Sequence, residues 1–558
     1  MPGDVTELSW SPDGTWLACQ LAPGGGERTR VRLVTPCGSE LRDLAPDAAA
    51  ATLGAWSPNG RQLGVTIFTE GGGAGYACLV DVRDGTSTVL ACGPAARVCA
   101  VSGDGRRAVV RLGRRGARSL ELIDLRTGRR TDLLPGGEAS VADARFGVTG
   151  DVLYVHTDAG REHAALLAVT LLGDGEPPLV HLVAERPDDD LDLVALDPAG
   201  ARAALVWNIA GRSQGELLDL RTGLLSPLPA AAGEVVTGAA FTRDGRAVLV
   251  ASEGPTVAPR VSRIALDHEV NTDVNTAPDT GGTVTRLLGV DGPAGHVEPV
   301  LHTYRGEDGL ELQGWAFRPR PALGPLPTLV WLHGGPEAQE RPVFQPLFQA
   351  LVAHGVAVFA PNVRGSGGYG RSFACADDHD RRFAAINDVR ATAGYLVDAG
   401  LADPERLGVA GRSYGGYLTL VALTWFPDLF RVGVDVCGIA DFGTFYAHTE
   451  PWIAEAATTK YGDPAHDAGL LRELSPLRRI DHVRAPLMVV HGAFDTNVPL
   501  VEAEQVVAAL RERGAAPAYL LFEDEGHDVK GRDNRARFVR DVVSWVTGHL
   551  LELGEQTA

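Results

Sequence analysis

Short apolar runs alternate with polar turns along the first half of the chain, and one turn pattern recurs six times. Each copy ends in a glycine, at positions 14, 60, 105, 150, 200 and 245, so the spacing is 45 or 46 residues with one step of 50. An apolar, strand-like run follows the turn, as in Ala108–Leu112 and Ala247–Ala251. A period near 45 residues with several short strands per unit is typical of the blades of a β-propeller.

Six blades can be counted, the last ending near residue 290, and the spacing leaves room for a degenerate seventh. The polar stretch Asp267–Gly282 is predicted to be an exposed loop in the last blade. Aromatic residues recur at the start of the turn, and we expect them to pack between neighbouring blades. They are Trp10, Trp56, Phe146 and Phe241.

From about residue 296 the period disappears, and apolar runs alternate with helical patterns. The helical patterns include Ile386–Ala399 and Val501–Arg513. The strand-like runs are Thr328–Leu332, Val356–Ala360, Leu407–Ala410, Val432–Val436 and Leu487–Val490. Buried parallel strands separated by helices form a doubly wound sheet. The sequence therefore predicts a β-propeller over residues 1–295 and an α/β domain over residues 296–558.

One glycine-rich segment of the second half resembles a nucleophile elbow. Gly411–Tyr417 follows the apolar run Leu407–Ala410 and precedes the helix-like run Leu418–Leu423, so it is predicted to be a strand, a sharp turn and a helix around Ser413. In a chain with 68 glycines a G-x-S-x-G match arises easily by chance. The strand and helix around it, and the partners described next, make this one an α/β-hydrolase elbow.

A serine nucleophile needs a base, and the base needs an acceptor that fixes its tautomer. In α/β-hydrolases the acid follows the serine and the histidine comes last. Asp495 lies just beyond the run Leu487–Val490, and His527 lies on the loop after the last strand-like run. Asp495 is preferred on its position. For the competing acids a solvated or loop-capping role is as good an explanation: Asp435, Glu523, Asp524 and Glu525.

Two further histidines, His333 and His491, precede glycines in tight turns, and we interpret them as structural. Acyl transfer also needs N–H donors for the oxyanion. The backbone of Tyr414, directly after the serine, is one candidate. The glycine-rich segment His333–Pro336 offers the second, through Gly335.

Taken together, these segments resemble the prolyl oligopeptidase family of serine peptidases (peptidase S9), in particular its acylaminoacyl-peptidase-like branch. The resemblance covers the whole chain and includes the order of propeller and hydrolase. Its motifs are His333–Pro336, Asn362–Gly370, Gly411–Tyr417, His491–Pro499 and Glu525–His527. It implies a triad of Ser413, Asp495 and His527, oxyanion donors at Tyr414 and Gly335, and no metal or organic cofactor.

The resemblance also implies substrate-binding residues. Asn497, two positions after the acid, would bind a substrate backbone carbonyl. The segment after the fourth strand of the second half would line an apolar first specificity pocket, with ordinary core packing as the alternative for some of its members: Ile439, Phe442, Phe445, Tyr446 and Trp452.

Two features depart from related patterns. Dipeptidyl peptidases of the family hold a free amino terminus with paired propeller glutamates, and no Glu-Glu pair occurs in this chain. The run Asp188–Asp190 is better explained as a solvated charge run. Arg412 stands where a small or aromatic residue is more usual, and the sequence does not assign it a partner.

The amino-acid composition limits the classes of partner that the protein is expected to bind. Asp and Glu outnumber Lys and Arg by 71 to 51, and the formal charge of −20 disfavours nucleic acid and anionic membrane surfaces. Seven cysteines without paired metal spacing predict neither a disulfide framework nor a structural zinc site. No basic leader and no apolar stretch of about 20 residues is present, so a cytoplasmic location is expected. The sequence is compatible with a homo-oligomer.

The sequence therefore predicts a serine peptidase that acts on short peptides or on aminoacyl and acylaminoacyl amides. The first alternative is a specialised amidase, esterase or acyl transferase for one small metabolite, because fold and triad do not fix the leaving group. The second alternative is a propeller-based binding scaffold with a vestigial hydrolase, which the complete set of catalytic motifs disfavours.

Overall fold

A computed structural model of the chain describes two regions of different architecture. The described residues are 3–114, 116–134, 139–173, 176–229, 233–266, 283–321 and 324–551. The loop predicted over residues 267–282 lies outside them. In the described part of the chain, no helix is both long and apolar enough to cross a membrane.

The amino-terminal region consists of six four-stranded antiparallel sheets, one per sequence repeat, and this confirms the predicted propeller with six blades in the described residues. The strands of each blade follow one another along the chain. Blade by blade they are β1 (Asp4–Trp10), β2 (Leu17–Ala22), β3 (Arg30–Val34), β4 (Leu41–Leu44); β5 (Ala50–Trp56), β6 (Gln62–Phe68), β7 (Gly75–Asp81), β8 (Ser87–Gly93); β9 (Arg97–Val101), β10 (Arg107–Leu112), β11 (Ser119–Asp124), β12 (Arg130–Asp132); β13 (Val141–Phe146), β14 (Val152–Thr157), β15 (Ala165–Thr170), β16 (Leu179–Ala184); β17 (Asp190–Leu196), β18 (Arg202–Ile209), β19 (Arg212–Asp219), β20 (Leu225–Pro227); β21 (Val235–Phe241), β22 (Ala247–Gly254), β23 (Val257–Ala265), β24 (Val284–Leu288).

The recurring turn joins the first two strands of a blade. In the first blade the hydroxyl of Ser11 donates to the Asp13 carboxylate at 2.6 Å, and the backbone N–H of Gly14 donates to the Ser11 carbonyl at 2.9 Å. Gly14 has a φ of 75°, a left-handed conformation that favours glycine. The backbone hydrogen bond and the positive φ of the glycine recur in all six turns and close each hairpin.

Aromatic residues of the turns pack onto the preceding blade, as expected. The Arg107 guanidinium of the third blade lies 5.9 Å from the ring centroid of Phe146 in the fourth. The Arg202 guanidinium of the fifth blade lies 5.8 Å from the ring centroid of Phe241 in the sixth. These two contacts tie the fourth blade to the third and the sixth blade to the fifth.

The first blade differs from this pattern. Trp56 of the second blade donates its indole N–H to the carbonyl of Ser9 in the first, at 3.4 Å. Trp10, in the equivalent position of the first blade, is 55% exposed, and Val5 and Leu8 on the same strand are 49% and 56% exposed. The expectation that Trp10 packs between blades is therefore wrong. Among the described residues, no strand pair of the sixth and first blades packs as extensively as the best-packed strand pair of each two consecutive blades.

The carboxy-terminal region contains one eight-stranded sheet in the order β25-β26-β28-β27-β29-β30-β31-β32. β25 and β26 are antiparallel to their neighbours, and the other strands are parallel. The strand bounds are β25 (Val300–Arg305), β26 (Glu311–Phe317), β27 (Leu326–Leu332), β28 (Ala357–Asn362), β29 (Ala402–Arg412), β30 (Val432–Val436), β31 (Leu487–Gly492) and β32 (Ala518–Phe522). This sheet is the predicted α/β-hydrolase sheet.

Helices cover both faces of that sheet. They are α1 (Pro346–Ala353), α2 (Gly370–Ala374), α3 (Arg382–Asp398), α4 (Tyr414–Trp425), α5 (Phe442–His448), α6 (Pro451–Tyr461), α7 (Ala468–Leu474), α8 (Val501–Glu512) and α9 (Arg532–Leu550). One apolar core contains buried residues of α3, α4 and α8, and a second contains those of α1 and α9. Parallel strands buried on both faces place their carboxyl ends along one edge, where the candidate site lies.

Candidate active site

Ser413 stands on a sharp turn between β29 and α4. Its φ of 59° and ψ of −118° are a strained conformation for a residue with a side chain. The turn leaves no space behind it, because a Cβ on Gly415 would lie 1.9 Å from the carbonyl oxygen of Leu332. The glycine therefore permits the close approach of α4 to β27 that holds the serine at the strand end.

Three side chains predicted to act together form one hydrogen-bonded chain. The Ser413 hydroxyl lies 3.1 Å from Nε2 of His527, and Nδ1 of His527 lies 2.7 Å from a carboxylate oxygen of Asp495. With Nδ1–H donating to the carboxylate, Nε2 is free to accept the serine proton. This is the arrangement that a serine nucleophile, a general base and an orienting acid require.

Asp495 is 4% exposed, and its second carboxylate oxygen accepts the backbone N–H groups of Asn497 and Val498, both at 2.9 Å. Burial alone would raise the pKa of Asp495, but the facing His527 outweighs burial and lowers it. Burial likewise opposes the charged form of His527, yet the Asp495 carboxylate raises the pKa of His527 well above its usual value. The pair therefore stabilises the imidazolium that forms when the serine gives up its proton.

The competing acids lie elsewhere. Asp435 accepts the backbone N–H of Gly438 at 2.9 Å, and burial raises the pKa of Asp435 to about 8. Glu525 accepts the backbone N–H of Gly531 at 2.8 Å, just before α9 begins. Glu523 and Asp524 are exposed. Among the acids considered from the sequence, Asp495 is thus the one hydrogen-bonded to His527.

The two histidines interpreted as structural are held by local hydrogen bonds. Nε2 of His491 lies 2.9 Å from the carbonyl of Val498, which fixes the loop that carries Asp495. Nδ1 and Nε2 of His333 lie 2.7 Å from the Gly334 carbonyl and 2.8 Å from the Ser366 hydroxyl. Both rings are buried, and burial lowers the pKa of each.

The two candidate oxyanion donors flank the serine. Tyr414 is the first residue of α4, where a backbone N–H has no acceptor within the helix. The glycine-rich loop after β27 lies against the nucleophile, since a Cβ on Gly334 would be 3.4 Å from the Cβ of Ser413. Gly335 has a φ of 120°, and a Cβ there would meet the backbone nitrogen of Ala338 at 2.5 Å. Only glycine fits this loop.

Behind the elbow, the Tyr414 side chain is held by buried charges. The guanidinium of Arg382 lies 4.9 Å from the ring centroid of Tyr414 and 4.6 Å from that of Tyr461. Arg382 is fully buried and forms an ion pair with Asp377 at 3.0 Å, and the Lys460 ammonium lies 3.1 Å from the same carboxylate. The sequence analysis missed this cluster because its members come from α3, α6 and a connecting loop.

Asn497 lies at the contact between the two regions. Its side-chain amide donates to the carboxylate of Glu27 at 3.1 Å, and the backbone N–H of Glu27 donates to the hydroxyl of Thr496 at 3.1 Å. Glu27 follows a run of three glycines in the first blade, and a Cβ on Gly25 would lie 2.8 Å from the backbone nitrogen of Gly526. The sequence analysis missed Glu27. The glycine run was the one available signal for such a close approach.

The residues expected to line an apolar pocket occupy different environments. Ile439, Phe442 and Phe445 are 2%, 0% and 2% exposed and belong to the core that contains α4 and α8. Tyr446 is half-buried, and its hydroxyl donates to the carbonyl of Gly462 at 2.8 Å. Trp452 reaches the propeller, where its ring centroid lies 4.8 Å from that of Phe68. Their place in a specificity pocket stays a prediction.

Arg412, for which the sequence analysis named no partner, forms an ion pair with Asp528, the residue after His527. Cys437, buried at the end of β30, places its sulfur 3.8 Å from the carbonyl oxygen of His527. The sequence analysis did not single out Cys437. The β30 strand end adjoins the elbow, because the backbone N–H of Ser413 donates to the carbonyl of Val436 at 2.8 Å.

A cavity of about 700 Å³ lies between the third, fourth and fifth blades and the catalytic domain. It contains Glu337, two positions after Gly335, together with carboxylates and cationic side chains from both regions. The charged lining residues include Asp158, Asp192, Arg341, Arg371, Asp378 and Lys460. Its size is within the range of ligand pockets in proteins.

Residues 342–552 match the family model described as the prolyl oligopeptidase family. Dipeptidyl aminopeptidase BIII of Pseudoxanthomonas mexicana is 29% identical over 411 residues, which cover 70% of this chain and 56% of that relative. The uncharacterized peptidase YuxL of Bacillus subtilis (strain 168) is 25% identical over 611 residues, covering 98% of this chain and 90% of the relative. The chain thus spans little more than half the length of the first of these relatives. The matches confirm the resemblance inferred from the motifs.

The fold also resembles that of a solved structure. The crystal structure of puromycin hydrolase superposes with a TM-score of 0.82 at 22% sequence identity, over 98% of this chain and 86% of that one. At this identity the comparison concerns the fold, and it agrees with a propeller followed by an α/β-hydrolase domain.

Proposed function

We propose that this chain, whose residues 342–552 match the model of the prolyl oligopeptidase family, is a serine peptidase acting on short peptides or on aminoacyl and acylaminoacyl amides. The observation that carries the proposal is the hydrogen-bonded chain from Ser413 through His527 to Asp495 on a nucleophile elbow. The curated relatives named as peptidases support the same reaction class.

In the proposed reaction, His527 accepts the hydroxyl proton of Ser413 through Nε2 while the serine oxygen attacks the substrate carbonyl. The backbone N–H groups of Tyr414 and Gly335 donate to the oxyanion. His527 then gives the proton to the leaving amine, and the C–N bond breaks to leave an acyl-enzyme. Water, deprotonated by His527, hydrolyses the ester and restores Ser413.

Substrate size follows from the position of the site between the two regions. The Glu27–Asn497 contact closes one side. The cavity of about 700 Å³ reaches Glu337, two positions after Gly335, and we propose that it accommodates part of a short substrate. We propose that Asn497 binds a backbone carbonyl of the substrate.

Three further predictions belong to the same proposal. We propose a division into residues 1–295 and 296–558 and a cytoplasmic location. We also propose that the first specificity pocket is lined by Ile439, Phe442, Phe445, Tyr446 and Trp452. A buried apolar lining favours a hydrophobic or proline side chain next to the scissile bond.

The test is hydrolysis of chromogenic aminoacyl, N-acetyl-aminoacyl and dipeptidyl amides, beside simple esters, by the wild type and by Ser413→Ala. We expect amide hydrolysis that falls by about 10⁴-fold or more in the variant. Hydrolysis of esters alone would instead favour the small-metabolite esterase. If no member of the panel were hydrolysed, the result would favour the alternative of a propeller-based binding scaffold.

The pH dependence offers a second test. His527 accepts a proton only when it is neutral, and Asp495 raises its pKa, so activity is lost as pH falls through that raised value. We expect the acid limb of kcat/KM to have its midpoint above about 6.5, the ordinary value for histidine. A midpoint at or below that value would contradict the assignment of His527 as the base.

A further inference from the structure

The catalytic histidine and aspartate have a third neighbour that the proposed reaction does not use. One ligand atom each of Cys437, His527 and Asp495 lies within 4.8 Å of the other two. In the described part of the chain this is the one group of three His, Cys, Asp or Glu side chains that converges in this way. Thiolate, imidazole and carboxylate are the ligands that Zn²⁺ prefers in proteins.

The cysteine is held firmly in this position. Cys437 is 2% exposed, its φ is 44°, and its backbone N–H donates to the carbonyl of Val490 at 2.8 Å. The thiol therefore stays beside the histidine without a change in the backbone. The other cysteines of the chain lie outside this group.

The charge around this group is balanced. The Arg412 guanidinium interacts with Cys437 and forms an ion pair with Asp528. Because Asp528 balances the charge of Arg412, the net local charge still allows a cation to approach.

We propose that Cys437, His527 and Asp495 form an inhibitory site for Zn²⁺, held by the thiolate, one ring nitrogen and one carboxylate oxygen. Zn–S and Zn–N bonds of about 2.3 and 2.0 Å bring ligand atoms to within about 4 Å of each other, so shifts of about 1 Å complete the site. Water occupies the fourth position. Binding releases the thiol proton to solvent.

Inhibition follows directly from the ligand set. A metal on His527 or Asp495 replaces the hydrogen bond between them, so the histidine no longer has the tautomer and orientation that a general base needs. The active serine peptidase is thus the metal-free form. The inhibition arm of the test rests on the proposed function, whereas metal binding can be measured without it.

The first experiment measures amide hydrolysis at neutral pH with increasing ZnCl₂, each variant being compared with its own metal-free rate. We expect Zn²⁺ to inhibit the wild type and a chelator to restore activity. Cys437→Ala should need about 10- to 100-fold more Zn²⁺, the loss typical of disturbing a metal site. Cys92→Ala, at an exposed cysteine of the second blade, should behave as the wild type. Equal sensitivity of the Cys437→Ala and wild-type enzymes would overturn the proposal.

The second experiment does not depend on activity. Co²⁺ is added to the Ser413→Ala protein, and a thiolate-to-cobalt absorption band is expected, with a stoichiometry of one. The band should disappear in Ser413→Ala with Cys437→Ser, a variant that keeps the size of the side chain and guards against misfolding of the alanine form. Absence of the band in the parent, or its persistence in the double variant, would contradict a site at Cys437.

Discussion

In the propeller a blade is tied mainly to the next blade along the chain, whereas the catalytic site joins residues 32 and 114 positions apart in one hydrogen-bonded chain. Arg107 and Phe146, or Arg202 and Phe241, belong to consecutive repeats. Contacts between neighbours make stability a sum of similar terms. A site assembled from distant residues depends instead on single positions, and one change can remove its function while the fold persists.

The largest expected effect is on catalysis. Asp495→Asn should lower kcat by about 10⁴-fold because the histidine loses the acceptor that fixes its tautomer. The matched control is Asp435→Asn. Burial raises the pKa of Asp435 to about 8, so the group is mostly protonated at neutral pH and an amide resembles it. Steady-state kinetics with thermal unfolding of both variants check this, and comparable losses of kcat would contradict a special role for Asp495.

Replacing a glycine by alanine should reduce the free energy of unfolding more at the elbow of the catalytic domain than at a turn of the propeller. Gly415→Ala places a Cβ against the backbone of β27, at 1.9 Å from the Leu332 carbonyl oxygen, and should cost about 3 kcal/mol or more. Gly14→Ala meets no atom within 4 Å and suffers only from its φ of 75°, at about 1–2 kcal/mol. Denaturant unfolding measures both. A larger loss at Gly14 would reverse the comparison.

Within the propeller, a contact between blades should matter more than an exposed aromatic residue. Arg202→Ala removes the contact with Phe241 and a hydrogen bond to the carbonyl of Gly245 at 2.6 Å, and should cost about 1–2 kcal/mol. Trp10→Ala should stay within about 0.5 kcal/mol. If thermal unfolding showed Trp10→Ala to be the more damaging, the first blade would have a partner on that face.

The smallest expected effect concerns the link between the regions. Glu27→Ala removes the acceptor that orients Asn497, so KM should rise by about two- to tenfold, the value of one hydrogen bond, with kcat nearly unchanged. Glu27→Gln keeps a carbonyl oxygen at the same place and should restore KM. A fall in kcat without a change in KM would show that Glu27 acts on the chemistry rather than on binding.

The parts of the molecule that follow from local pattern could be predicted. The regular spacing of the turn glycines predicted the blades. The positions of Ser413, Asp495 and His527 relative to the strands predicted the hydrogen-bonded chain. The exposure of Trp10 could not be predicted, because its turn sequence is like that of the other repeats and its exposure depends on tertiary packing that a single repeat does not encode. Glu27 and Cys437 were missed because each reaches the site through contacts distant in sequence.

The exposed face of the first blade has a consequence for dynamics. Aromatic contacts link the second, fourth and sixth blades to the blade before them. No strand pair of the sixth and first blades packs as extensively as the best-packed strand pair of each two consecutive blades, so in the described residues the propeller resembles a linear array with two ends, and such arrays fray at their ends. One of these ends carries Gly25, whose backbone lies against Gly526, next to His527. Local unfolding of this end would therefore first displace the loop that holds the catalytic base. A variant that speeds hydrogen exchange of β1 should also change the turnover rate.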